Sequence, residues 1–185
     1  MTFVDYTCKP MRKLKLEELG RKTLEEHKAS EKLNITVVLD DIRSGGNVGS
    51  VFRSSDAFLL KKIILCGITP LPPHKEIIRT AIGATDSVDW EYQENIVGCI
   101  SQLKSAGHHI VLIEQTDNSI PLRSFEFNSN LNYVIVLGNE VNGVNEELLP
   151  LSDSCLEIQQ FGTKHSLNVS VCAGIVFWHF AKALR

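Results

Sequence analysis

The sequence predicts an α/β fold, a mostly parallel sheet covered by helices on both faces, and three observations carry that expectation. Apolar runs of strand length occur at ITVVLD (35–40), KIILCG (62–67), HIVLIEQ (109–115) and YVIVLG (133–138). They are rich in β-branched residues and do not alternate with polar ones, which is the pattern of strands buried on both sides. Helical stretches lie between or after them, around 48–60, 75–81, 95–106 and 145–149, with a last one at about 167–182; such alternation builds parallel sheets. Finally, 43% of the 185 residues are hydrophobic, enough to bury one sizeable core in a single domain.

Ahead of the first strand, residues 1–32 form a basic, helix-prone arm, and the domain proper spans 33–185. Lys9, Arg12, Lys13 and Lys15 are opposed only by Asp5, and Arg21 and Lys22 follow. Thr23 stands three residues before Glu26, the spacing of a capping box at a helix start. Over the whole chain 19 Lys and Arg face 22 Asp and Glu, for a net charge of −3. Bulk charge therefore does not announce a nucleic-acid binder, and any basic patch must be local.

Cys8, Cys66, Cys99, Cys155 and Cys172 are odd in number and contain no C-x-x-C pair, so neither a disulfide framework nor a zinc site is expected. The start, MTFVDYTCKPMRK, lacks the apolar core of a signal peptide. The longest apolar stretch, 169–181, falls short of the ~20 residues of a membrane span. Reduced thiols, no metal and a cytoplasmic location are the expectations.

Three loops carry chemistry, and ligands of open α/β sheets sit beyond the carboxyl ends of the strands. In RSGGNVGSVFRSSDAF (43–58) glycines surround Asn47, and Arg53 lies off the apolar stripe of the helix that follows. The spacing is neither G-x-G-x-x-G nor a P-loop, which argues against dinucleotide oxidoreduction and triphosphate binding. Asn47 and Arg53 suit a polar ligand; equally, Asn47 could cap the helix while Arg53 pairs with Asp56. In VLGNEVNGVNEELL (136–149) Glu140 sits between glycines at a strand end, as a site acid or as a solvated turn residue. The third segment, 156–180, runs from a short strand through a Gly162 loop into a helix opening at Ser166 and Asn168. There Ser166 is a site residue or simply the N-cap.

Taken together the three segments resemble, in order and separation, the motifs of the SpoU branch of the SPOUT RNA methyltransferases. NVGSVFR (47–53) is similar to N-x-G-x-x-x-R, GNEVNG (138–143) to G-x-E-x-x-G, and SLNVS (166–170) to the third motif. RTAIGATDSVDW (79–90) resembles the family's Lys-Thr-Ala-Leu-Gly-Ala stretch, with Arg79 in place of Lys. The likeness covers about 33–185 and implies a C-terminal trefoil knot, otherwise nearly unknown among folds. It implies S-adenosylmethionine (AdoMet) as methyl donor, held by Glu114, Gln115, Leu137, Gly138, Ile158, Gln160, Ser166 and Leu167. It also carries over Arg53, Asn47, Glu140, Asn168 and Ser166 as the polar set around an acceptor ribose of transfer or ribosomal RNA. On this view Arg53 holds the adjoining phosphate and stabilises charge developing on O2′, while Asn47 and Glu140 fix its position. A guanidinium with a pKa above ~12 is not the base.

Relatives of this kind pair, so a homodimer with active sites built from both chains is implied. Two departures stand out: IQQFG (158–162) has Gln where relatives carry Ile-Pro, and His165, read as a surface residue, precedes the third motif. The competing reading is a catalytically silent SPOUT-like RNA-binding protein. Its mark would be loss of Arg53, Glu140 or Asn168, and all three are present.

Overall fold

In the computed structural model, which describes residues 11–185, one sheet of seven parallel strands organises the chain. The elements run α1 (Leu24–Ala29), β1 (Leu33–Asp40), α2 (Gly45–Ala57), β2 (Leu60–Cys66), α3 (Lys75–Ala81), α4 (Ala84–Ser87), β3 (Asp89–Gln93), α5 (Ile96–Ser105), β4 (His109–Ile113), β5 (Ile120–Pro121), β6 (Tyr133–Leu137), β7 (Ser154–Glu157) and α6 (Val169–Leu184). Strand order is β3-β2-β1-β6-β4-β7-β5. Thus β7 fills the slot between β4 and β5.

The non-alternating strand runs are buried on both faces, as the sequence predicts. Along β1, Ile35, Val37 and Leu39 join the core beneath α2 and α6, against Phe52, Phe177 and Phe180. Val38 points the other way, into a second core with Ile100 of α5 and Leu148. Register places Val37 between Ile63 and Ile135, and Leu39 between Leu65 and Leu137. The same period of two therefore feeds both layers.

Several boundaries differ from expectation. α2 begins at Gly45, with Ser44 as its cap accepting from the Asn47 amide at 3.3 Å, so Asn47 is not the cap. Its glycines read as loop by propensity, yet Gly49 is needed where α2 meets α3: a Cβ there would lie 2.5 Å from the Ile77 carbonyl oxygen. The helix expected at 145–149 is a 3-10 turn over Glu146–Leu151 containing Pro150, which lacks the amide a longer helix needs. β3 and β5 were not expected, because DWEYQ is polar and half exposed and β5 has two residues, one of them proline at the sheet edge.

The arm docks on the domain. Thr23 and Glu26 close the predicted capping box, with Thr23 Oγ1 accepting at 3.2 Å and Glu26 Oε2 at 2.8 Å. His27, 7% exposed, sets Nε2 3.2 Å from Asp56 Oδ2 of α2. Lys9, Cys8 and Asp5 lie outside the described residues. Among the described residues no helix is long and apolar enough to cross a membrane.

Candidate active site

The carboxyl ends of β4, β6 and β7 open onto a cavity of about 600 Å³. All eight residues assigned to cofactor binding line it: Glu114 and Gln115 after β4, Leu137 and Gly138 from β6, Ile158 and Gln160 after β7, and Ser166 and Leu167 ahead of α6. Parallel strands deliver this convergence because each ends at the same edge of the sheet.

The loop after β6 is a tight hairpin-like wall. Asn139 and Gly143 exchange backbone hydrogen bonds of 2.8 and 3.0 Å, and Gly143 takes φ +72, a conformation suited to glycine. The Asn139 side chain accepts from the Val141 and Asn142 amides and donates to the Asp41 carbonyl at 2.5 Å. Gly138 lies against the returning strand of the loop, where any Cβ would sit 2.5 Å from the Gly143 carbonyl oxygen. Asp40, at the end of β1, accepts the Asn145 amide at 2.8 Å. Burial pushes the Asp40 pKa up, partly countered by that hydrogen bond.

Glu114 spends its carboxylate on backbone, accepting from Val144 at 3.0 Å and Gln115 at 2.8 Å. Gln115 Nε2 then donates to the His165 carbonyl at 2.9 Å, tying the end of β4 to the third segment.

At the cavity mouth the three motifs meet through hydrogen bonds. Asn47 Nδ2 donates to Glu140 Oε1 at 2.9 Å, and Asn168 Nδ2 donates to Asn47 Oδ1 at 3.1 Å. Glu140 also accepts from the Arg43 and Ser44 amides at 2.9 and 3.2 Å. Burial alone would raise the Glu140 pKa, but the donors from Arg43, Asn47 and Ser44 outweigh it and hold the carboxyl below its ordinary value. Glu140 is thus a fixed anion and not an idle turn acid. Asn168 caps α6, its Oδ1 accepting from the Ser170 and Val171 amides. Ser166 therefore stays in the cavity lining and is not the cap. The Ser170 hydroxyl donates to Asn168 Oδ1 at 2.7 Å, holding that amide in its orientation.

Arg53 is the exception. It lines a second cleft, beside Arg21, Lys22 and His27, and not the cavity lined by Glu140, Ser166 and Asn168, to which Asn47 is hydrogen-bonded. Nor does it pair with Asp56, which is engaged by His27 Nε2 and the Ser87 hydroxyl. Within one chain the structure unites Asn47, Glu140, Ser166 and Asn168 and leaves Arg53 apart.

Sequence reasoning missed several wall residues. Asn139 and Asn145 look like ordinary turn formers, and only their partners, Asp41 and Asp40, give them a structural role. His165 lines the cavity although exposed. Cys172, one turn into α6, also lines it, and burial pushes its thiol up to about 11, so it stays protonated.

Comparison with known proteins agrees with this architecture. The profile of the SpoU rRNA Methylase family matches residues 34–178. The chain is 24% identical over 145 residues to the tRNA (guanosine(18)-2′-O)-methyltransferase of Escherichia coli (strain K12), covering 78% of this chain and 62% of that protein. It superposes on a TrmH/SpoU tRNA modifying enzyme of A. aeolicus with TM-score 0.77 and 25% identity, covering 86% of this chain and 80% of that one. An AdoMet-bound rRNA methyltransferase from Sinorhizobium meliloti gives TM-score 0.76 at 26% identity, with coverage of 88% and 60%. The chain spans about three-fifths of the length of the curated relatives it matches.

Proposed function

This chain belongs to the SpoU rRNA Methylase family, and on that premise we propose that it transfers a methyl group from AdoMet to a ribose 2′-hydroxyl of transfer or ribosomal RNA. The observation that carries the reading is the hydrogen-bonded set Asn168–Asn47–Glu140 at the mouth of the strand-end cavity. Three segments far apart in sequence meet there, each contributing a polar side chain.

The cavity suits the donor. Its volume lies within the ~300–1,000 Å³ usual for small-molecule sites, and at Gly138 its wall is main chain packed directly on the Gly143–Val144 main chain. Backbone groups after β4, β6 and β7 would read the adenosine, with Gln160, Ser166 and Leu167 closing over it. AdoMet supplies a methyl group activated on a sulfonium. The chain's own work is to align the ribose and favour charge on a poorly acidic hydroxyl. Asn47 and Glu140 would orient the sugar, and Arg53 would hold the adjoining phosphate.

Arg53 lines a separate cleft of its own chain, and in this reading a second copy brings it to that mouth. Val171, Ile175 and Trp178 are 52%, 40% and 53% exposed on one face of α6, spaced to form an apolar stripe at the end of the helix that Asn168 caps. We place a homodimer interface on this stripe, with each active site drawing its arginine from the other copy. The interleaving of β7 between β4 and β5 supports the knotted path that the family implies. The substrate class supports a cytoplasmic location.

The test is transfer of labelled methyl from AdoMet to bulk RNA, with AdoMet binding followed by calorimetry. Arg53→Ala should abolish turnover and leave AdoMet affinity unchanged. Equal loss of both would show that Arg53 has been given the wrong role. A wild-type chain that binds RNA and AdoMet but transfers nothing would favour the silent RNA-binding reading.

A further inference from the structure

The second cleft, about 540 Å³ in volume, lies between the docked arm and α2, and the strand-end cavity does not account for it. Its lining includes three cations: Arg21 and Lys22 come from the arm and Arg53 from α2. In a chain of net charge −3 that grouping is local. Among the described residues neither Arg21 nor Arg53 has a hydrogen-bond or ion-pair partner in the protein. The one carboxylate in the cleft, Asp56, is already committed. It faces His27 Nε2 at 3.2 Å and accepts from the Ser87 hydroxyl, while Lys32 Nζ donates to His27 Nδ1 at 2.8 Å and to its carbonyl at 2.6 Å. That latch fastens the arm and commits the Asp56 carboxylate to hydrogen bonds with His27 and Ser87, leaving Arg53 without an acid partner among the described residues.

The same lining includes exposed apolar side chains. Leu24 is 41% exposed and Ile82 68%. Ile82 adopts φ +49 just before Gly83 at φ +84. A β-branched residue in the left-handed region is strained, and such strain gathers at ligand-contacting segments. Here it holds an isoleucine out at the rim of a cationic cleft.

We infer that this cleft is a nucleotide subsite for the RNA substrate, in which Arg21 and Arg53 clamp one phosphodiester and Ile82 and Leu24 receive the attached sugar or base. Guanidinium forks match phosphate oxygens two at a time, and an apolar ledge beside them suits the nucleoside. The arm lies outside the segment matched by the family profile, so Arg21 adds to substrate holding from beyond the three motifs. The inference rests on the RNA reading above and deepens it: the phosphate given to Arg53 there is the one that Arg21 also holds here.

The test measures binding of fluorescently labelled bulk transfer RNA and bulk ribosomal RNA by anisotropy across a salt series, using the full chain. Arg21→Ala should weaken binding about tenfold or more, as for loss of one charged contact, and flatten the slope of log affinity against log salt by about one. Arg21→Lys should restore the slope, and Leu24→Ala should weaken binding with the slope intact. AdoMet affinity and melting temperature should stay at wild-type values for Arg21→Ala, because that side chain has no hydrogen-bond or ion-pair partner among the described residues. The subsite is overturned if Arg21→Ala binds both RNAs with wild-type affinity and slope. Arg53→Ala separates this from the enzymatic reading: lost turnover with an inert Arg21→Ala removes the clamp and keeps the enzyme, whereas wild-type turnover in Arg53→Ala removes the role given to that arginine in both.

Discussion

Replacing Gly138 with alanine sets a Cβ against main chain that cannot rotate away. The new atom would lie 2.5 Å from the Gly143 carbonyl oxygen, where ordinary contact begins at 3.4 Å, so the wall after β6 must retreat by about 1 Å. Overpacking of this kind costs about 1–3 kcal/mol, and for a chain of this length each kcal/mol lowers Tm by about 2–4 °C. The functional cost should be larger than the thermal one. The displaced wall carries Glu140 and forms one side of the donor cavity, and misplacement by ~1 Å at a site can cost about 100-fold in rate. Calorimetry of AdoMet binding, a melting curve and a methyl-transfer assay would measure all three effects. Gly162→Ala is the matched control, since a Cβ there meets nothing within 4 Å. Gly138→Ala with unchanged melting, AdoMet affinity and turnover would refute the claim that the loop is packed against itself to shape the cavity.

Other outcomes follow from the same geometry. Because the folded-state pKa of Glu140 is depressed, its contribution is present above the ordinary carboxylate value of 4.5 and is lost as pH falls through the lower, folded value. The difference in Tm between wild type and Glu140→Gln should therefore be widest near neutral pH and shrink in acid; a difference independent of pH would contradict the bonding to Arg43, Ser44 and Asn47. Trp178→Glu places a charge in the exposed stripe of α6 and should shift the chain to monomer in light scattering, abolishing turnover while AdoMet still binds. A dimer that survives this change would move the interface elsewhere. Asn168→Ala removes the cap of α6 together with the bridge to Asn47, so it should cost about 1 kcal/mol of stability and a larger factor in turnover, read by melting and by methyl transfer.

Much of the fold was legible because burial on both faces leaves a plain mark in sequence. Each strand with an apolar run was found, while β3 and β5 were not, since edge strands lean on one neighbour and need little apolar surface. The start of α2 was hidden by Gly45, Gly46 and Gly49. Local propensity counts those glycines against a helix, whereas packing on α3 demands one of them. The motif residues were found by type and order. The caps, Ser44 for α2 and Asn168 for α6, follow from where each helix begins, which residue type alone left open.

The amino-acid sequence alone determined the strand and helix alternation, the buried faces and the identity of the polar residues in three loops, because periodicity and residue type are local properties. Only the tertiary structure decided that Asn47, Glu140 and Asn168 form one hydrogen-bonded set and that Arg53 faces the arm instead. Those are distances between segments about a hundred residues apart, and they exist only once parallel strands have brought their ends to a common edge.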